Sequence, residues 1–349
     1  MRITLLIPEL VWPEPDDSET FAALSCPTLE TLLARSTRTR RPPQSLEATL
    51  ADAFGLPEEA PYAALRLLGE STAPDIGASC WVCCDPVHLR FHQDGLILAD
   101  SGSFGIELDE ARALIEALNH HLADAGRFYL ASAERWYLRL SDHLRVDRLE
   151  VPPLSAVAGR RIDGLLPATE HAKGLRKLLN EAQMLLHAHP INTGREASGR
   201  LPINNLWLWG AGTLPSRYAS DFDGVWSTNP LALGLARCAG VPTHALPTDA
   251  ATLLAHAAAD TNHLVVLEDL LSPVQYENGK AYAVELNDLE KRWFAPLRAA
   301  LAAGKITELR IEASTAYAAL AWQSTRQDQW KLWRRPQRLA VLAGELAKA

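Results

Sequence analysis

The sequence predicts an α/β protein whose core is a mainly parallel sheet with helices on both faces. Three observations carry this expectation. Strand-like and helix-like stretches alternate through the C-terminal half. At the N terminus, Ile3 to Ile7 form an apolar run of the length of a buried strand. Between these, residues from about 78 to 150 read strand–strand–helix–strand–strand, a block able to form a smaller sheet of its own. The expected organisation is therefore a discontinuous core, 1–77 and 203–330, an inserted α+β cap at 78–202, and a tail helix at 331–349.

In order along the chain, Ile3–Ile7 is followed by a Pro-rich polar loop to Ser18. An amphipathic helix begins at Thr28, with Thr28 or Ser25 as caps. Residues 45 to 69 hold two helical pieces split at Gly55-Leu-Pro57. Trp81 to Phe91 and Leu96 to Ala99 read as strands joined by His92-Gln-Asp-Gly95, whose Asp-Gly is a hairpin signal. Residues 108–123 repeat apolar side chains at helical spacing, and 169–188 do the same with Leu175, Leu178, Leu179, Ala182, Leu185 and Leu186. Phe128–Leu130 and Arg135–Leu140 are short strands. A polar loop then leads to Leu206-Trp-Leu-Trp209. Gly224–Ser227, Leu264–Glu268 and Glu308–Ile311 are strands, separated by helices at 229–239 and 284–303. Residues 337–349 read as a loosely attached terminal helix.

Composition narrows the function classes. The 349 residues are 48% hydrophobic and 22% charged, the balance of a globular chain, with a net charge of −8. That charge argues against nucleic acid and anionic membranes as partners, because no basic excess exists to neutralise phosphates. No apolar stretch approaches the roughly 20 residues needed to span a bilayer. Five cysteines, an odd number with three packed into Cys80-x-x-Cys83-Cys84, do not form a secreted disulfide pattern and predict a reducing, cytoplasmic setting.

The densest polar segment runs from His189 to Gly212. It places His189, Asn192, Arg195, Asn204, Asn205, Trp207, Trp209 and Gly210 in one helix-to-strand connection. Arginine forks with amide and indole donors suit a small phosphate or carboxylate. Two readings stand: a ligand-binding segment, or a helix stop at Pro190 with turn residues and core tryptophans. A second polar group, Asp85 and His88, follows the cysteines. Together these residues have the types of a zinc site, yet they lie on one predicted strand whose side chains alternate between faces. The end of the chain, Trp322 through Trp330-Lys-Leu-Trp333-Arg-Arg, reads either as a docking surface for a protein partner or as tryptophans closing the core. No Gly-x-Ser-x-Gly elbow, Walker loop or dinucleotide fingerprint is present.

The segment His189-Pro-Ile-Asn192, Arg195, Asn205 and Leu206-Trp-Leu-Trp-Gly-Ala-Gly212 resembles the corresponding stretch of the archaeal-type, cofactor-independent phosphoglycerate mutases of the alkaline phosphatase superfamily. Pro27–Arg35, Ala63-Ala-Leu-Arg-Leu-Leu-Gly69, Asp100–Asn119 and Val225–Gly240 extend the resemblance to about residue 312. Cys84–Leu89 and Arg135–Leu138 resemble a bacterial branch of that group labelled as a regulatory protein of pathogenicity factors, E type. The resemblance implies an alkaline-phosphatase-like core and a ligand cleft between core and cap, lined by the His189–Gly210 residues.

This chain departs from the family where the chemistry is done. The family's first strand ends in an Asp-Gly metal-ligand motif; here it ends Ile7-Pro-Glu9. The serine nucleophile falls at Ala60, and the Asp and His ligands of a later motif fall at Leu271 and Gln275. A two-metal displacement needs those groups. The expectation is a catalytically degenerate, regulatory or ligand-sensing protein with no cofactor, binding a small phosphorylated or carboxylate ligand and open to a protein partner. The alternative is an active mutase or phosphomonoesterase using manganese or magnesium in an altered site around Glu9 and Asp269.

Overall fold

The computed structural model describes residues 1–92, 95–146, 148–165 and 173–348. The Asp94 position of the expected hairpin turn and the first residues of the expected 169–188 helix lie outside them. Strands follow in chain order: β1 (Arg2–Leu6), β2 (Thr37–Arg41), β3 (Cys80–His92) and β4 (Gly95–Asp100). Next come β5 (Gly126–Leu130), β6 (Trp136–Leu140), β7 (Asn205–Thr213) and β8 (Gly224–Trp226). The last are β9 (Thr243–His244), β10 (Asn262–Val266), β11 (Glu308–Ser314) and β12 (Ala319–Thr325).

The chain forms two compact units, Met1–Phe54 with Ala219–Ala349, and Gly55–Tyr218. The first holds a seven-stranded sheet in the order β2-β12-β11-β1-β10-β8-β9. Strands β11, β1, β10, β8 and β9 are parallel, while β12 is antiparallel to both β11 and β2. Ile3 and Leu5 of β1 join one apolar core, and Leu6 on the opposite face is equally buried. Burial on both faces is what a central strand of a parallel sheet requires.

The helix Pro27–Arg35 corrects the expected capping. Cys26 stands at its N-cap with no side-chain cap bond. Instead the carboxylate of Glu290 accepts from the N–H groups of Thr28 (2.7 Å) and Leu29 (3.0 Å). Glu290 begins a widened turn, Glu290–Phe294, in the expected 284–303 helix, so a distant carboxylate meets the positive end of this helix. The terminal helix Leu339–Lys348 is likewise firmly packed, with Leu339, Leu342, Ala343 and Leu346 buried in the core. Of the tail tryptophans only Trp322, on β12, closes the core; Trp330 and Trp333 are 72% and 76% exposed.

The second unit is an antiparallel sheet, β4-β3-β6-β5, with β7 also paired to β3. The helices Leu108–His121 and Lys173–Ala188 pack their leucine stripes onto it. This unit is wider than the expected 78–202 insertion. β7 completes its sheet, and the helix Tyr62–Gly69 lies against β7 and β3. Pro190 does not merely stop a helix. It occupies the first turn of a new one, Pro190–Ala197, where its missing N–H costs nothing.

Candidate functional site

Open parallel sheets bind ligands beyond the carboxyl ends of their strands. In the first unit those ends carry Glu9 after β1, Ser227 and Asn229 after β8, Glu268 and Asp269 after β10, and Thr315 after β11. Glu9 is buried and has φ +56°, a left-handed conformation that a non-glycine residue rarely adopts. Its N–H bonds to the Ser314 carbonyl at 2.7 Å. Asn229 donates from Nδ2 to Glu268 Oε1 (2.8 Å), and its Oδ1 caps the helix Pro230–Ala239. Asp269 pairs with Arg292 at 3.4 Å.

This residue set does not fit a pair of divalent cations. Among the described residues, no group of three or more His, Cys, Asp or Glu side chains is arranged to hold a metal ion. Of the carboxylates that stand here, Glu268 is engaged by an amide and Asp269 by a guanidinium.

In the second unit the sequence has built a buried polar cluster. Asp85, on β3, takes a two-pronged ion pair from Arg66 of the helix Tyr62–Gly69, at 2.6 and 2.9 Å. The same carboxylate accepts the indole N–H of Trp209 at 2.8 Å and the N–H of Trp136 at 3.3 Å. The Arg66 guanidinium lies 4.7 Å from the Tyr137 ring centre and 5.0 Å from that of Trp209. Glu70, next along, binds Arg135 with both oxygens and accepts the Tyr137 hydroxyl at 2.8 Å.

Burial works against the charge on Arg66, but Asp85 outweighs it and holds the guanidinium firmly protonated. Burial pushes the Cys84 thiol and the Tyr137 phenol well above their ordinary values. Neither is ionised near neutrality, so neither is an activated nucleophile. All five cysteines are buried. Cys80 and Cys84 lie in one apolar cluster and Cys83 outside it.

The remaining sequence candidates are spread over separate protein partners. His189 Nδ1 accepts from the Ile191 N–H as a helix cap, and burial lowers its pKa. Asn192 donates to the carbonyls of Leu186 and Ile203 and accepts from the Ile203 N–H, at 2.7–2.8 Å. Arg195 is fully buried. Its donors go to the Leu201, Phe104 and Gly105 carbonyls and, at 2.6 Å, to Glu110. Asn204 pairs with both backbone groups of Leu89 (2.8 Å each) and Asn205 accepts from the Leu206 N–H. Trp207 donates to the Pro152 carbonyl, and His88 Nδ1 lies 2.8 Å from the Pro202 carbonyl oxygen. Gly210 has φ +64°, and a Cβ there would sit 2.8 Å from that of Tyr62. It occupies an irregular stretch of β7 opposite Trp81–Cys83, where one extra residue is accommodated.

The structure thus brings Asp85 and Trp209 together and leaves the others apart. Sequence reasoning missed Arg66, Glu70, Arg135 and Tyr137. One signal was present: Arg66 is the lone charge in the apolar run Tyr62–Gly69, and a cation on a buried helix face requires a buried partner.

Comparison with known proteins agrees with this fold. Residues 83–192 match the family model for 2,3-bisphosphoglycerate-independent phosphoglycerate mutase. The 2,3-bisphosphoglycerate-independent phosphoglycerate mutase 2 of Methanothermobacter thermautotrophicus is 35% identical over 34% of this chain and 30% of its own. A probable mutase of the same kind from Geobacter sulfurreducens is 31% identical over 60% of this chain and 54% of its own. The chain therefore spans about a third to a half of the length of the curated relatives it matches. The PH0037 protein of Pyrococcus horikoshii shares the fold, with a TM-score of 0.57 at 14% identity, covering 99% of this chain and 95% of that one. By sequence the chain is similar, over part of its length, to the cofactor-independent phosphoglycerate mutases, and it is built on an α/β core with a mainly parallel sheet.

Proposed function

We propose that this chain acts by binding, as a regulatory or ligand-sensing relative of the mutases, and does not transfer phosphoryl groups by the metal- and phosphoserine-dependent route. One observation carries the reading: the groups that route needs are replaced by side chains with other, visible jobs. Ala60, at the nucleophile position, is buried and has no attacking atom. Leu271 and Gln275 begin and end a short helix where the resemblance calls for Asp and His ligands. Glu268 is held by Asn229, and Asp269 by Arg292.

A ligand of this protein is a small phosphorylated or carboxylate compound, the class that the resemblance implies. Arg195 is not its receptor, because its fork is spent on Glu110 and three carbonyls. The test is a thermal melt with and without 3-phosphoglycerate and manganese, beside an assay for mutase turnover. A ligand that binds only the folded state adds about 2.7 kcal/mol at a hundred times its dissociation constant. Stabilisation by 3-phosphoglycerate alone, without turnover, supports a sensor. Manganese-dependent turnover would overturn the reading in favour of an altered metal site.

A further inference from the structure

We propose that the first unit carries a second binding site, for an organic anion with a planar ring such as a nucleoside phosphate, formed by Arg35, Arg298, Arg326 and Trp330. The site is a cavity of about 560 Å³, within the range of small-molecule pockets. Ala295, Ala299 and Ala302, on the exposed side of the helix Ala295–Ala302, line it with small groups. Trp330 and Leu332 complete the lining and are 72% and 66% exposed.

Its electrostatics run against the rest of the molecule. The chain carries a net charge of −8, yet three arginines and no acidic residue line this cavity. Gln329 gathers two of them. Its carbonyl accepts from Arg35 Nη1 at 2.7 Å and its Oε1 from Arg298 Nε at 3.2 Å, while its Nε2 is fixed to Ser324 Oγ at 3.0 Å. Arg35 Nε is buried and has no acceptor among the described residues. A buried donor without an acceptor is costly unless a ligand supplies one. Guanidiniums drawn onto one neutral residue offer the counter-charge and forked donors that phosphate takes.

The second half of the ligand follows from the apolar lining. Inorganic phosphate would engage the arginines and leave most of the cavity to water. An exposed indole beside the cations gives a planar base something to stack on, an interaction of about 1–3 kcal/mol per base. The inference is independent of the functional reading above, since none of these residues belongs to the strand-end groups or the second unit.

The experiment is calorimetric titration of the whole protein with AMP, ATP and inorganic phosphate, with Trp330 fluorescence taken as the difference between wild type and W330F. AMP or ATP should bind more tightly than phosphate and quench the Trp330 component. Arg298→Ala, at a half-buried side chain, and Arg326→Ala, at an exposed one, should weaken binding about tenfold each, the latter at an unchanged melting temperature. No binding of either nucleotide at millimolar concentration overturns the proposal. So does equal binding of phosphate, or nucleotide binding that the two arginine variants leave intact. If Arg298→Ala melts early, Arg326→Ala alone decides, because the Arg326 side chain makes no hydrogen bond to Gln329 and its backbone carbonyl, which accepts the Gln329 N–H, is kept in the variant.

Discussion

Replacing Asp85 by alanine is the sharpest test of the buried cluster in the second unit. The carboxylate is 1% exposed and serves three donors: the Arg66 guanidinium, the Trp209 indole and the Trp136 amide. Removing one partner of a buried ion pair costs about 3–5 kcal/mol, because the other charge is left without compensation. A stranded buried donor such as Trp209 Nε1 adds about 1–3 kcal/mol. The two costs overlap, since both describe one cavity refilling with water, so a loss of about 4 kcal/mol is expected. Against a domain stability of roughly 5–15 kcal/mol that loss is severe. The double variant Arg66→Met with Asp85→Ala removes both charges and fills part of the volume with an apolar stem. It should be more stable than Asp85→Ala alone, the signature of an uncompensated charge as opposed to lost packing. Urea unfolding followed by tryptophan fluorescence gives both values. A single variant that loses under about 1 kcal/mol, or a double variant less stable than the single, would refute the reasoning.

Three further outcomes follow from particular residues. Gly210→Ala should destabilise by about 1–3 kcal/mol, since the backbone is left-handed and the new methyl meets Tyr62; a thermal midpoint checks it. Arg195→Lys should cost about 3 kcal/mol in denaturant titration, because an ammonium cannot reproduce a fork shared among Glu110 and three carbonyls. Ligand affinity of whatever fraction stays folded should be unaffected. His263 carries the pH prediction. Burial, then the charge of His244, lowers its pKa. The Trp226 indole donates to its Nδ1 at 3.2 Å, and its Nε2 faces the Thr261 hydroxyl at 2.7 Å. A proton on Nδ1 would set two donors against each other. The unfolded chain therefore takes up its proton first, and stability declines as pH falls below about 6.5, with no penalty above it. Melting midpoints across that range should fall less steeply for His263→Gln than for the wild type.

The parts of the fold legible in the sequence are those whose burial has a period. β10 is buried throughout and its second half, Leu264–Val266, is an apolar run, and the helices Leu108–His121 and Lys173–Ala188 repeat leucines at helical spacing. β2 was not legible. Its sequence Thr-Arg-Thr-Arg-Arg is exposed along nearly its whole length because it is the edge strand beside β12, and an edge with no apolar face has no pattern to read. The tail misled for a related reason. Trp322, Trp330 and Trp333 look alike in sequence, and only pairing of β12 with β11 decides which one is buried. Glu290 is a long-range partner that local pattern cannot supply, since it caps a helix more than 250 residues away. Arg195 shows the limit on site reading. A fork donor is the same chemical object whether its acceptor is a ligand phosphate or Glu110, and sequence reports the donor only.

That ambiguity bears on what the kinship means. The family-model match runs from residue 83 to 192, entirely inside the second unit. Among the residues it spans are Asp85, Glu110, Tyr137 and Asn192. In this structure each holds that unit together: Asp85 through Arg66 and two tryptophans, Glu110 through Arg195, Tyr137 through Glu70, and Asn192 through two carbonyls. The positions on which the resemblance would place phosphoryl transfer, Glu9, Ala60, Leu271 and Gln275, all fall outside residues 83–192, Ala60 in the second unit and the other three in the first. Similarity over residues 83–192 therefore follows packing, because the buried clips fold that stretch whatever side chains stand at those four positions. Kinship here is evidence for the architecture. Any activity has to be sought among the groups at the ends of β1, β8, β10 and β11, where Glu268 is already engaged by Asn229 and Asp269 by Arg292.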